Sequence, residues 1–279
     1  MAETKSYFFC GIGGSGMLPL ACILRAQGAE VAGSDRALDQ GRVGEKFAFL
    51  EGQGIGLFPQ DGSGMASADQ ILVASAAVEE TVPDVAAAKR LGAGRLTRAE
   101  LLAQLFNAVP LSIGVAGTSG KSTVTGMIAW ILHEAGRDPT VMNGAVMKNF
   151  AGPDRPFASA LAGHGDVFVS EVDESDGSIV HYRPNIAVLN NVTLDHKGLD
   201  ELRGLFLDFA EKAQTAIVNL DDPEARALAA SLPAATGFSL NDASADYSAS
   251  AIAEEPLAVS FAVAERGGTP VPVRLQVPG

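Results

Sequence analysis

Gly117-Thr118-Ser119-Gly120-Lys121-Ser122-Thr123 follows the apolar run Leu111 to Ala116 and precedes a helical pattern from Val124 to Ala135. This order of strand, glycine-bearing turn and helix constrains the chain more than any other stretch. Backbone N–H groups of such a turn, together with the helix N-terminus, face an anion. A lysine adds a point charge, and a Ser or Thr hydroxyl reaches a magnesium ion. Lys121 and Ser122 fill these two roles, within a phosphate loop that comprises Gly117, Thr118, Gly120 and Thr123. The strict P-loop pattern asks for a further glycine five residues before the Gly-Lys pair. Val115 stands there, with Gly114 and Gly117 as the nearest glycines.

A chain of 279 residues has room for two ordinary domains. Its 47% hydrophobic and 19% charged residues are those of a globular protein without a run long enough to span a bilayer. Met1 to Ser6 is polar and lacks the apolar core of a signal peptide, so a cytoplasmic location is expected. Two cysteines, Cys10 and Cys22, exclude a disulfide scaffold and read as small buried residues. A net charge of −13 argues against broad nucleic-acid binding. An anionic ligand must then be held locally, by helix ends and a few cations.

The first domain is expected over residues 1–108. Tyr7 to Cys10 reads as a buried strand entering Gly11-Ile12-Gly13-Gly14-Ser15-Gly16-Met17, after which Leu18 to Gln27 has helical spacing. Gly11, Gly13 and Gly16 fit GxGxxG, whose glycines permit a tight turn, close approach of a pyrophosphate and close helix packing. A second strand, Glu30 to Ser34, leads to Asp35, placed to bind a ribose hydroxyl. Taken alone this is a dinucleotide fingerprint. Strands at Ile55 to Phe58 and Ile71 to Ala74 and helices at Glu45 to Glu51 and Val85 to Leu91 complete an α/β, Rossmann-like domain. A helix from Arg98 ends before Pro110, which places the boundary at 108–110.

The second domain, residues 109–279, is expected to be a P-loop-type α/β ATPase domain with a small antiparallel sheet. Its strand Asp166 to Ser170 runs into Glu171-Val172-Asp173-Glu174-Ser175-Asp176, with four carboxylates in six residues. At the C-terminal end of a strand in an α/β sheet, such hard oxygen ligands suit magnesium. The strand Ile186 to Asn190 leads to Asn191-Val192-Thr193-Leu194-Asp195-His196. His196 is the histidine with a functional context, whereas His133, His164 and His181 read as surface or loop residues. Leu199 to Ala213 is amphipathic, Ala216 to Val218 is a strand, and Asp222 with Pro223 opens another helix. Short alternating runs at Tyr247 to Ala253, Leu257 to Ala262 and Val271 to Val277, with a turn at Gly267-Gly268, read as the antiparallel sheet.

Taken together, the glycine loop with Gly33-Ser34-Asp35, the GTxGKS loop, the acidic run, Asp195-His196 and Asn219-Leu220-Asp221-Asp222 resemble the Mur ligase family in content and order. These are ATP-dependent ligases of cytoplasmic peptidoglycan precursor synthesis, and their GTxGK loop shares the missing glycine. The likeness is greatest to members that act on UDP-N-acetylmuramate. It implies that Lys121 contacts the ATP phosphates, that Ser122 and Glu171 hold Mg2+, and that His196 helps hold a second Mg2+. Lys121, Glu171 and His196 would be the catalytic residues, and Asn219 would face the adenine. Gly11, Gly13, Gly14, Ser15, Gly16 and Asp35 would bind the UDP part of the substrate. The implied chemistry activates the lactyl carboxylate of UDP-N-acetylmuramate as an acyl phosphate, which the amine of L-alanine or of an L-alanyl peptide then attacks.

Several departures bear on this likeness. Ser119 and Ser122 stand where alanine-adding members have His and Thr, and Asn143 to Phe150 follows neither the alanine-adding nor the tripeptide-adding pattern. The carbamylated lysine of sister ligases is not assigned to any residue after His196. The chain stops at Val277-Pro278-Gly279, where the linker to the family's third, amine-binding domain begins, so these residues alone are expected to bind nucleotide weakly and to form no amide. Two other readings are a non-catalytic nucleotide-binding regulator derived from such a ligase and an NAD-dependent dehydrogenase. The latter leaves the phosphate loop, the acidic run and Asp195-His196 without a task.

Overall fold

The computed structural model describes residues 5–153, 155–194 and 197–276. The chain falls into two compact units, one holding Met1–Pro110 with Thr125–Ser170 and the other Leu111–Val124 with Glu171–Gly279.

In the first unit, β1 (Ser6–Cys10), α1 (Met17–Ala26), β2 (Glu30–Ser34), α2 (Arg36–Asp39), α3 (Gly44–Gly52), β3 (Gly56–Phe58), β4 (Gln70–Ala74), α4 (Pro83–Leu91), β5 (Arg95–Thr97) and α5 (Arg98–Asn107) follow in order. The five strands are parallel in the order β3-β2-β1-β4-β5. The chain thus departs from central β1 in both directions, and the strand carboxyl ends beside β1 form the crevice where such sheets bind ligands. β1 is central because Phe8 and Phe9 are both fully buried, one on each face of the sheet. Helix ends follow local chemistry. Thr97 and Glu100 form a capping box on α5, and α4 has Pro83 in its first turn and stops at Gly92 with φ 72°.

Residues Thr125–Ser170 of this unit carry most of α6 (Lys121–Glu134), then β7 (Thr140–Met142), β8 (Ala160–Leu161) and nearly all of β9 (Val167–Glu171). β7 lies between β9 and β8, parallel to the first and antiparallel to the second. The ring of Phe150 meets Trp130 and His133 of α6 edge-on, with centroids 5.4 and 5.2 Å away.

The second unit holds β6 (Leu111–Ala116), the first turn of α6, β10 (Ile186–Leu189), α7 (Leu199–Glu211), β11 (Thr215–Asn219), α8 (Pro223–Ala229), β12 (Ala235–Ser239), β13 (Tyr247–Glu255), β14 (Ala258–Glu265) and β15 (Val271–Leu275). The strand order is β15-β14-β13-β12-β11-β10-β6, parallel from β6 to β13 and antiparallel beyond. The expected antiparallel strands therefore extend the parallel sheet and do not form a separate one. Amphipathic α7 buries Leu202, Phe206 and Phe209. A Cβ on Gly114 of β6 would lie 2.8 Å from the Phe209 ring, so the glycine lets the helix sit close. Removing the fully buried Phe206 ring would cost roughly 3–5 kcal/mol.

Candidate nucleotide site

The phosphate loop spans Gly117 to Gly120, between β6 and α6. Two of its residues need the conformational freedom of glycine. Gly117 has φ 140° and Gly120 φ 78°, and a Cβ on Gly120 would stand 2.6 Å from Asn190 Nδ2. Asn190 and Asn191, at the end of β10, clamp the loop. Ser119 N–H donates to Asn191 Oδ1 at 2.9 Å and Thr118 N–H to Asn191 O at 3.2 Å, while Asn190 Nδ2 donates to Ser119 O at 2.8 Å. The Thr118 hydroxyl bonds Asn191 Oδ1 at 2.8 Å and accepts from Thr193 N–H at 3.0 Å. The sequence shows polar residues at this strand end but not that they clamp the loop. The clamp's signal, an Asn-Asn pair directly after a buried strand, is present in the sequence.

Lys121 opens α6 and folds back over the loop. Its Nζ donates to Gly117 O at 2.7 Å and to Glu174 Oε2 at 3.0 Å. This ion pair is largely withdrawn from water, with side-chain exposures of 13% for Lys121 and 4% for Glu174. One residue further on, Ser122 Oγ donates to Glu171 Oε2 at 2.7 Å. The four carboxylates of the acidic run therefore divide their work. Glu171 faces the loop hydroxyl and Glu174 faces the loop lysine, whereas Asp173 accepts from Ser175 N–H and Asp176 from Ser178 N–H in local turns. A hydroxyl and a carboxylate at this spacing are a hard-oxygen pair that fits Mg2+, an ion commonly held by one or two protein ligands plus phosphate oxygens and water. Among the described residues no group of three or more His, Cys, Asp or Glu is assembled for a metal. Asp195 and His196 lie outside the described residues.

Asn219 ends β11, and its Oδ1 accepts from Asp221 N–H at 3.0 Å. Asp221 itself is pushed up by burial, but the donors Ser239 Oγ at 2.5 Å and Leu240 N–H at 2.6 Å outweigh that and hold its carboxyl below the usual range. Asp222 caps α8 through Ala225 N–H at 2.8 Å, as its sequence position predicts.

The glycine loop of the first unit is closed differently. Gly11, at φ 83°, and Ile12 donate their amides to Ser34 O, and Gly14 N–H returns to Gly11 O. Asp35 Oδ2 accepts from Gly13 N–H and its Oδ1 from Ala37 N–H, both at 2.8 Å, so Asp35 ties the loop and caps α2 at once. Lys46 Nζ donates to Gly13 O at 2.8 Å, and a Cβ on Gly16 would meet the Arg98 side chain at 2.9 Å. Ser15 is exposed at the loop tip. Beside the loop opens a cavity of about 280 Å³ lined by Cys10, Gly11, Arg36 and Gln60 among others. Lys46, Arg98 and Arg36 are cations that no local motif announced, since each comes from a different helix.

Beneath this loop lies a buried polar cluster. Asp84, fully buried, accepts from Ser34 Oγ at 2.5 Å and from Gly62 N–H at 3.0 Å. Burial raises its carboxyl pKa, although the Ser34, Gly62 and Cys10 donors work against this. Burial, with the Asp84 charge nearby, pushes the Cys10 thiol up to about 12, and burial takes Cys22 to about 11. Cys10 is buried, as expected, whereas Cys22 is only partly buried; the raised values keep both as thiols at neutral pH.

Among the described residues no helix is long and apolar enough to cross a membrane. Comparison with known proteins matches residues 6–109 to the description "Mur ligase family, catalytic domain" and residues 115–279 to "Mur ligase middle domain". The UDP-N-acetylmuramate--L-alanine ligase of Synechococcus sp. (strain JA-3-3Ab) is 39% identical over 98% of this chain and 52% of its own length. That of Solibacter usitatus (strain Ellin6076) is 36% identical over 97% and 57%. The chain spans about half the length of the curated relatives it matches. Among solved structures, UDP-N-acetylmuramate:L-alanyl-gamma-D-glutamyl-meso-diaminopimelate ligase from Neisseria meningitides superposes with a TM-score of 0.80 at 25% identity, covering 99% of this chain and 89% of that one. UDP-N-acetylmuramate-alanine ligase MurC from Thermotoga maritima gives 0.79 at 23% identity, covering 98% and 61%, a likeness of fold.

Proposed function

The chain belongs to the Mur ligase family, and from that premise we propose that it handles the ATP and the UDP-sugar of a ligase joining UDP-N-acetylmuramate to L-alanine or an L-alanyl peptide in the cytoplasm. The observation that carries this reading is the paired contact of consecutive residues, Lys121 with Glu174 and Ser122 with Glu171, at the mouth of a glycine loop. In the proposed site Lys121 neutralises phosphate charge. Ser122 and Glu171 would hold Mg2+, which would supply further charge neutralisation at the phosphates. His196 would help hold a second Mg2+, and Asn219 would face the adenine. Gly117, Thr118, Gly120 and Thr123 surround the phosphates.

Phosphoryl transfer to a carboxylate brings two anions together, so positioning and charge neutralisation dominate the demand on the protein. The Asn190-Asn191 clamp meets the first requirement by fixing the loop, and Lys121 meets the second. The glycine loop at Gly11, Gly13, Gly14, Ser15 and Gly16, with Asp35, takes the UDP end. Arg36, Lys46 and Arg98 stand on helices around it and supply local positive charge to a chain of net charge −13. We assign residues 1–108 to the UDP-substrate domain and 109–279 to the ATP domain. A five-stranded sheet complete before Pro110 supports that boundary, although Thr125–Ser170 packs with the first compact unit.

Calorimetric titration tests the reading. ATP with Mg2+ and UDP-N-acetylmuramate are each expected to bind, and NADH is not. Tight NADH binding with no UDP-sugar binding would favour a dehydrogenase instead.

A further inference from the structure

Lys121 carries three N–H donors, and two are already engaged, by Gly117 O at 2.7 Å and Glu174 Oε2 at 3.0 Å. The lysine that should meet phosphate is thus neutralised in advance by a carboxylate that is itself nearly buried. Glu174 is fixed from behind. Its carbonyl accepts from Gly177 N–H at 3.2 Å, in a turn that Gly177 closes at φ 75°, and Ser178 Oγ donates to Asp173 O at 3.2 Å. Glu171, the other carboxylate at the loop, is occupied with Ser122. The two acids therefore have separate partners on consecutive loop residues, and only one of the two partners is a cation.

We propose that Glu174 is a positioning residue for Lys121: it holds the ammonium at the phosphate loop and yields it when a polyphosphate arrives. The proposal rests on the ATP reading above. Its physical basis is that a buried ammonium without a counter-charge is costly, so a loop that waits for its anion needs a substitute anion in the meantime. That substitute competes with the ligand. Glu174 thereby sets the affinity for nucleotide, and does so in proportion to the phosphate groups that reach Lys121.

The test measures dissociation constants for ATP and AMP, at fixed Mg2+, in the wild type, Glu174→Gln, Lys121→Met and the double variant. Removing the competing charge in Glu174→Gln is expected to tighten ATP binding roughly five- to tenfold while AMP affinity stays within twofold. In the Lys121→Met background, the same Glu174→Gln change should alter ATP affinity by less than twofold. Unchanged or weaker ATP binding by a folded Glu174→Gln protein overturns the proposal. An equal gain in the Lys121→Met background also overturns it, because Glu174 would then be a plain repelling charge. Glu174→Asp, which shortens the reach by one methylene, should give about a threefold gain and serves if Glu174→Gln does not fold; no gain there counts against the proposal in the same way. If wild-type ATP affinity is absent or indifferent to Lys121→Met, the ATP reading itself fails, a result distinct from the others.

Discussion

In the first unit Asp35 accepts the Gly13 amide while Lys46 donates to the Gly13 carbonyl, so one carboxylate and one cation close the glycine loop onto itself. In the second unit a cation again holds a loop carbonyl, Lys121 on Gly117 O, but two neutral asparagines take the place of the carboxylate on the loop backbone, and the carboxylates meet the side chains of Lys121 and Ser122 instead. Both regions follow the plan of strand, glycine turn and helix. They differ in what must be given up when an anion binds. The first loop can keep its internal bonds and offer the N-terminus of α1, which has no acidic residue in its first turn, together with nearby cations. The second must release Lys121 from Glu174. The first is a fixed surface, and the second is a set of contacts made to be exchanged.

The largest break in this comparison comes from Lys121→Ala. It strands the carboxylate of Glu174, whose side chain is 4% exposed, and removing one partner of a buried pair costs roughly 3–5 kcal/mol. Urea unfolding should register that loss, and adding Glu174→Gln to Lys121→Ala should restore a large part of it. A loss below about 1 kcal/mol would mean that water already shares the pair. In the first region the loop contacts run from Asp35 to the Gly13 amide and from Lys46 to the Gly13 carbonyl. Asp35→Ala there removes a helix cap and the Gly13 bond, each worth on the order of 1 kcal/mol. Its expected signature is a modest drop in stability with weakened UDP-N-acetylmuramate binding and unaltered ATP binding. An equal loss of ATP binding would erase the distinction between the loops.

How much of each region can be read from the sequence depends on how local its causes are. The two glycine loops are legible because strand, turn and helix follow one another directly, and because Gly11, Gly117 and Gly120 adopt φ values that favour glycine. The capping of α8 by Asp222 and Pro223 is legible for the same reason. Glu174's partner is not, because four carboxylates in a run look alike until the turn at Gly177 separates them. The Asn190-Asn191 clamp joins groups more than seventy residues apart in sequence. β12 escapes periodicity because Gly237 interrupts it. That glycine is there for a tertiary reason, since its Cβ would fall 2.3 Å from the Leu220 side chain. Arg36, Lys46 and Arg98 gather at one loop only through the topology of the sheet.

The smallest effect sharpens the claim that the first region is built to stay as it is. Asp84 lies under its glycine loop, tied to β2 by Ser34 and to the following loop by Gly62. Burial raises its carboxyl above the ordinary 3.8, so folding favours the protonated form. The stability contributed by that form is complete below the ordinary value and is lost as pH climbs through the raised one. Asp84→Asn is always neutral and cannot follow this course. Below pH 4 it should cost about 1 kcal/mol, through poorer hydrogen bonding to Ser34 and Gly62. Toward neutral pH that deficit should shrink, because the wild type then carries an ionised carboxylate in a site that disfavours it. Urea unfolding of both proteins from pH 3.5 to 7 measures the difference. A deficit that instead grows with pH would mean that the three donors around Asp84 favour the carboxylate over the acid, and that the first region, like the second, is organised around a buried negative charge.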